Sequence, residues 1–190
     1  MKTKSLFDFL LALALLPIFL PFIGVLILVS TIDTRQFGLF IQVRIGKNAK
    51  QFKLYKIRSM RGSYNSYVTS AKTHKITKFG RFIRKTKLDE LPQIFNILIG
   101  DMSFVGPRPD VVGYADRLTN EDRIILNVKP GITGPAQLAF KNEEELLEQQ
   151  ENPQKYNEEV LWPHKVMINK EYVQNYTFFK DLKYILKTIF

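Results

Sequence analysis

The chain contains no cysteine, so disulfides, thiolate metal sites and cysteine nucleophiles are excluded together. Histidine is nearly absent too: His74 and His164 leave little room for a zinc centre. Acid is in short supply. Against 28 Lys and Arg stand 18 Asp and Glu, giving a net charge of +10 and a pI near 9.7. Such a chain favours anionic company: nucleic acid, an acidic membrane surface or a phosphorylated ligand. The shortage of acid is concentrated. From Thr34 to Leu88 there is no Asp or Glu, while the same stretch holds fifteen Lys or Arg. There is no internal repeat, and 190 residues make one domain or a domain with an appendage, which excludes a solenoid. Hydrophobic residues at 45% and charged residues at 24% fit a folded chain.

What is present begins with an apolar run. Phe9 to Val29 are 21 residues without a charge. As a straight helix they extend about 31 Å, enough to cross a bilayer core. Lys2 and Lys4 would suit a signal peptide, but the run is long and no small-residue cleavage site follows it. A buried core helix fits this length equally poorly. Pro17 and Pro21 stand one turn apart inside the run, and each removes a backbone donor, so a kink or break is expected. Both flanks are basic: Lys2 and Lys4 before, Arg35, Arg44 and Lys47 after. Basic flanks stay on the cytoplasmic side. Two topologies stay open on charge alone, a spanning helix and one that dips in and returns.

The remainder reads as soluble. Leu39, Ile41, Val43 and Ile45 alternate with more polar neighbours, Gly46-Lys47-Asn48 is a turn signal, and an apolar-basic run follows from Gln51 to Met60. That is a short β-hairpin. Arg61 to Ala71 reads as a loop and a candidate lid. Pro92 to Leu98 reads as a short helix closed by Gly100. Gly106-Pro107-Arg108-Pro109 is rigid and non-helical. Glu143 to Glu159 is acidic and predicted helical. Phe178 to Phe190 is amphipathic and basic, suited either to a membrane surface or to the core. The fifteen cations end at Asp89-Glu90, two acids side by side. Paired carboxylates facing a long basic stretch suggest a polyanion site holding a metal or a nucleophile; the plainer reading is that the basic residues meet anionic lipid heads, and both can hold at once. No helix-turn-helix, RRM or KH signature is visible, so nucleic acid is not the expected partner.

Leu88-Asp89-Glu90-Leu91-Pro92-Gln93, then Asn96, then Gly100-Asp101-Met102-Ser103-Phe104-Val105-Gly106-Pro107-Arg108-Pro109 closely resembles the bacterial sugar transferase family, the small monotopic phosphoglycosyl transferases. Tyr55 to Met60, Pro130 to Gly134 with Ala136-Gln137, and Asp181-Leu182-Lys183 resemble further family blocks in the family's order. The resemblance implies an α+β, mainly helical fold. Residues 1–35 would form a re-entrant membrane helix broken at a proline, assigned to Pro21. Residues 36–190 would form a cytosolic catalytic domain with a small hairpin and amphipathic helices at the interface. It also implies transfer of a phospho-sugar from a UDP-sugar to polyprenol (undecaprenyl) phosphate with release of UMP, on the cytoplasmic face of the bacterial inner membrane, as the first membrane step of glycan assembly.

By the same resemblance Asp89 is the nucleophile, forming a covalent phospho-sugar intermediate, and Glu90 is its catalytic neighbour. Asp89 and Glu90 together would hold Mg²⁺, which the meeting of two polyanions requires. Arg84, Lys56 and Arg108 are expected to bind phosphate, and Gln137 to contact substrate. His74 and His164 are expected at the surface. Pro135, the run Leu138 to Lys141 and an acidic insert from Asn142 to Asn157 depart from the family pattern. If that region contacts the sugar, sugar identity does not carry over from the family. The donor is expected to be an N-acetylated amino sugar, with a hexose or a non-catalytic scaffold of the same fold as alternatives. Membrane lipids are the remaining partner, and an oligomer is compatible with all of this.

Overall fold

The computed structural model describes residues 2–62 and 75–189. Beyond Gly62, the loop read as a lid lies outside the described residues, as does His74. The described chain is mostly helical with three two-stranded sheets, the expected α+β class. It forms two compact units, Met1–Val43 with Lys53–Gly100, and Arg44–Phe52 with Asp101–Phe190.

The first unit is built on α1 (Lys2–Thr34). Leu10, Ile18, Phe22, Val25 and Leu28 are all exposed. Only 11% of its most apolar window is buried, unlike the core helix of a soluble protein. The buried positions recur at helical spacing: Lys4, Asp8, Ala12, Ile23, Ser30 and Thr34 lie along one face. The helical assignment runs without a gap through Pro17 and Pro21. A proline deletes one rung of the hydrogen-bond ladder, which a helix absorbs by bending rather than unwinding. The break expected at Pro21 is therefore not an unwound stretch. The far end of α1 is tied down by side chains. Ser30 Oγ donates to the Arg58 carbonyl at 2.6 Å, and Thr31 Oγ1 accepts from the Gly38 amide at 2.9 Å. Arg61 Nε donates to the Asp33 carbonyl at 2.9 Å.

The expected hairpin is present as β1 (Leu39–Ile45) and β2 (Gln51–Ile57). Its turn is a 3₁₀ segment in which Asn48 and Ala49 take positive φ. A short antiparallel pair follows, β3 (Met60–Arg61) with β4 (Lys75–Ile76), in register Met60↔Ile76. Next comes α2 (Lys78–Lys85), whose cap Thr77 accepts from the Gly80 amide at 2.8 Å. Gly80 must be glycine, since a Cβ there would sit 2.0 Å from the Ser59 carbonyl oxygen. The helix turns Gly80 and Ile83 inward and leaves Lys78, Arg81, Phe82 and Lys85 exposed. A 3₁₀ turn (Leu88–Glu90) leads into α3 (Gln93–Ile99). Pro92 caps that helix rather than opening its first turn, and Gly100 closes it at φ +97°, a conformation only glycine adopts cheaply. Both α2 and α3 pack on α1.

In the second unit, β5 (Ser103–Val105) and β6 (Gly131–Thr133) pair in parallel, Ser103 opposite Gly131 and Val105 opposite Thr133. The acidic stretch is helical but segmented, into α5 (Glu143–Glu148), α6 (Pro153–Tyr156) and a π segment (Asn157–Leu161) leading into α7 (Trp162–Gln174). Before these, α4 (Pro135–Ala139) packs on α7 and on α8 (Phe178–Ile189). The apolar core gathers Ile45, Ala115, Ile125, Leu126 and Val166, with Trp162 packed against it. A buried hydrogen bond at 2.6 Å from the Tyr172 hydroxyl to Asp181 joins α7 to α8.

Candidate active site

Asp89 and Glu90 stand on the 3₁₀ turn between α2 and α3, and each is 6% exposed. Burial of two adjacent carboxylates is costly unless they are compensated. The compensation comes from β2: Lys56 Nζ donates to Glu90 Oε1 at 2.9 Å and lies 4.0 Å from Asp89 Oδ2. Asp89 Oδ1 is buried without a hydrogen-bond partner. An acceptor in that state is either strained or reserved for a ligand. Burial pushes the Asp89 carboxyl up from its ordinary value, opposed by the charge on Lys56. Glu90 adds to the rise, while Arg84 and Lys87 oppose it.

Three features hold this turn in place. Asn96 on α3 is fully buried, and its side chain bridges back to β2: Oδ1 accepts from the Tyr55 amide at 3.1 Å, and Nδ2 donates to the Lys53 carbonyl at 2.7 Å. It thereby fixes the strand carrying Lys56 against the helix that follows the acid pair. Lys87 enters the turn at φ +58°, a left-handed conformation that costs a non-glycine residue strain. Packing of α2 against the turn brings Arg84, from the last turn of that helix, within electrostatic reach of Asp89.

Of the expected residues, Lys56, Arg84, Asp89 and Glu90 therefore form one cluster within the first unit. Arg108 and Gln137 belong to the second unit. There, Gln137 Nε2 donates to the Gly106 carbonyl at 3.2 Å, bracing the loop that contains Arg108, while Gln137 Oε1 is buried without a partner. Two residues from that loop, Arg108 and Asp110, share a charged neighbourhood with Arg44, Lys165 and Glu143. Burial raises the Asp110 carboxyl to about 7 against the pull of the three cations. His164 is exposed, as expected. Asn96 and Lys87 were not among the expected site residues. The sequence signal for Asn96 is its place in the motif; for Lys87 there is none, because left-handed φ at lysine has no composition cue.

Two carboxylates are a hard oxygen donor set. They suit Mg²⁺, which takes one or two protein carboxylates and completes its shell with water and phosphate oxygens. No cluster of three or more His, Cys, Asp or Glu exists among the described residues. A divalent ion on this pair would therefore share its coordination with a phosphorylated ligand, and the open Asp89 Oδ1 fits that arrangement.

The first unit thus combines a buried acid pair, with Lys56, Arg84 and Lys87 within electrostatic reach, and a helix long and apolar enough to cross a membrane. The chain belongs to the bacterial sugar transferase family, whose family model matches residues 1–190. It is 35% identical to the UDP-glucose:undecaprenyl-phosphate glucose-1-phosphate transferase of Klebsiella pneumoniae over 199 aligned residues, covering 100% of this chain and 40% of that protein. It is 41% identical over 121 residues to a putative undecaprenyl-phosphate N-acetylgalactosaminyl 1-phosphate transferase of Bacillus subtilis, covering 62% of this chain and 68% of that one. A third relative is the undecaprenyl-phosphate galactose phosphotransferase of Salmonella typhimurium, 40% identical over 109 residues, 57% of this chain and 20% of that protein. The chain thus spans less than half the length of two of these three relatives.

Proposed function

We propose that this protein transfers a phospho-sugar from a UDP-sugar to polyprenol phosphate, releasing UMP. The observation that carries the reading is the buried Asp89 carboxylate, with one oxygen left unpartnered beside Glu90 and three cations. In the first half-reaction an Asp89 oxygen attacks the β-phosphorus of the donor. The bond from that phosphorus to the bridging oxygen breaks, and UMP leaves with the electron pair. In the second, an oxygen of polyprenol phosphate attacks the same phosphorus, the bond to Asp89 breaks, and the free carboxylate returns. Two easier steps replace one encounter of two polyanions.

Burial desolvates Asp89 and makes it a better nucleophile once ionised, while the charge on Lys56 opposes the rise that burial causes. Lys56 and Arg84 receive the donor phosphates. Asp89 and Glu90 would hold Mg²⁺, which supplies charge neutralisation for the diphosphate and the departing UMP. Arg108 and Gln137, in the second unit, are assigned to substrate contact.

The donor we favour is a UDP-linked N-acetylated amino sugar. The support is the Bacillus subtilis relative, which is named as a putative N-acetylgalactosaminyl 1-phosphate transferase and is 41% identical over 121 residues. A hexose donor is the second reading, because the relative named for glucose aligns with the whole chain.

In the membrane, we place residues 1–35 as a re-entrant helix and residues 36–190 at the cytoplasmic face of the inner membrane. What supports re-entry is the buried face of α1, polar at both ends with Lys4 and Asp8 at one and Ser30 and Thr34 at the other.

The test is UMP release from a panel of UDP-sugars by solubilised protein with Mg²⁺ and polyprenol phosphate. Sustained release that requires the lipid and is lost in Asp89→Asn supports the reading and identifies the sugar. Folded protein that releases no UMP from any of the panel contradicts it.

A further inference from the structure

Within α1 the charged side chains are Lys2, Lys4, Asp8 and Asp33. Asp8 is the unexpected one, since it directly precedes the apolar run. It is 4% exposed, and Lys4, one turn earlier on the same face, is 6% exposed. Their neighbours Leu6, Phe9 and Leu10 point outward and are exposed. Ala12 continues the inward face at 0% exposure. In the N-terminal half of the helix Lys4, Asp8 and Ala12 therefore face inward, while Leu6, Phe9, Leu10 and Leu13 face outward. An ionisable group is expensive at membrane depth unless it is buried in protein. Among the described elements α2 and α3 both pack on α1, and α3 follows directly on the Asp89-Glu90 turn.

We propose that Asp8, together with Lys4, is a topology lock: it holds the N-terminal half of α1 on the catalytic unit and so makes the helix re-enter rather than span. This rests on the re-entrant reading above. The lock is distinct from charge-based orientation, in which Lys and Arg set sidedness and acids contribute little. With Asp8 replaced by leucine, no charge remains from Ser5 to Ile32, and the segment becomes an ordinary spanning helix. The two ideas predict opposite results for Asp8→Lys. Added positive charge strengthens cytoplasmic retention under the charge rule, whereas the lock is broken.

The natural absence of cysteine gives a clean assay. Thr3→Cys and Lys50→Cys, both at exposed positions, are placed singly in the full chain and labelled in spheroplasts with a membrane-impermeant maleimide, before and after lysis. In the parent both positions are expected to react only after lysis. In Asp8→Leu and Asp8→Lys, position 3 is expected to react in intact spheroplasts in most molecules, while position 50 does not. If either variant keeps the parent pattern in folded protein, the lock is overturned and re-entry stands. If one variant is degraded, the other decides. If the parent itself labels from opposite sides, re-entry fails and the lock with it.

Discussion

At the scale of single residues, Asp89 is in conflict with its surroundings. Its carboxyl is raised by burial, so the folded state penalises ionisation. The sign follows from linkage. Below the unfolded carboxylate pKa, near 4, the group is protonated in both states and there is no penalty; as pH rises above it the penalty appears in the folded state. Asp89→Asn is therefore expected to raise stability at pH 7 by about 1–2 kcal/mol, or about 2–8 °C in Tm, while abolishing turnover. Thermal unfolding at pH 7 and pH 4 checks this: the gain should be present at the first and gone at the second. Lys56→Ala works the other way. It leaves two buried carboxylates without their shared cation and is expected to cost about 3 kcal/mol. In a Glu90→Gln background the same change should cost less, which a double-mutant cycle measures. The acid pair was legible in the sequence, because it ends a long acid-free stretch inside a recognisable block. The direct Lys56–Glu90 bond was not. It depends on which face of β2 meets the turn, and Lys56 is expected at phosphate rather than on Glu90.

At the scale of elements, Asn96 is the joint. Removing its side chain as Asn96→Ala strands the Tyr55 amide and the Lys53 carbonyl. The expected cost is about 3 kcal/mol, a fall of about 6–12 °C in Tm, with turnover reduced as β2 and the turn loosen. In the second unit, Asp110 sets a different pH dependence. Its folded value near 7 lies above the unfolded one, so its destabilising contribution grows from about pH 4 to pH 7. Asp110→Asn is expected to raise Tm at pH 8 and leave it unchanged at pH 4, by calorimetry. The hairpin and α3 were legible because strand alternation, the turn signal and the closing glycine agree with one another. The acidic stretch was legible as helix but not as separate segments. Pro153 starts a new helix, and the π segment before Trp162 has no spacing signature. In α1 the prolines announced an interruption, yet the helix absorbs both without an unwound residue.

At the scale of the whole molecule, the uneven charge and the uncovered helix fit the proposed reaction. In it a soluble nucleotide donor and a lipid phosphate would meet at headgroup level. A basic protein seated there by α1 would gather both anions. Chelation of divalent metal is expected to stop UMP release. Glu90→Gln is expected to raise the Mg²⁺ needed for half-maximal release by about 10–100-fold, read from a Mg²⁺ titration. The central claim is that Asp89 itself carries the phospho-sugar, and it is tested most directly by intact-mass and peptide mass spectrometry of protein exposed to UDP-sugar and Mg²⁺ with no lipid acceptor. The account predicts a mass increment of one phospho-sugar on the peptide containing Asp89, absent in Asp89→Asn and discharged when polyprenol phosphate is added. Turnover with the lipid present, but no adduct on Asp89 under rapid quench, would contradict it.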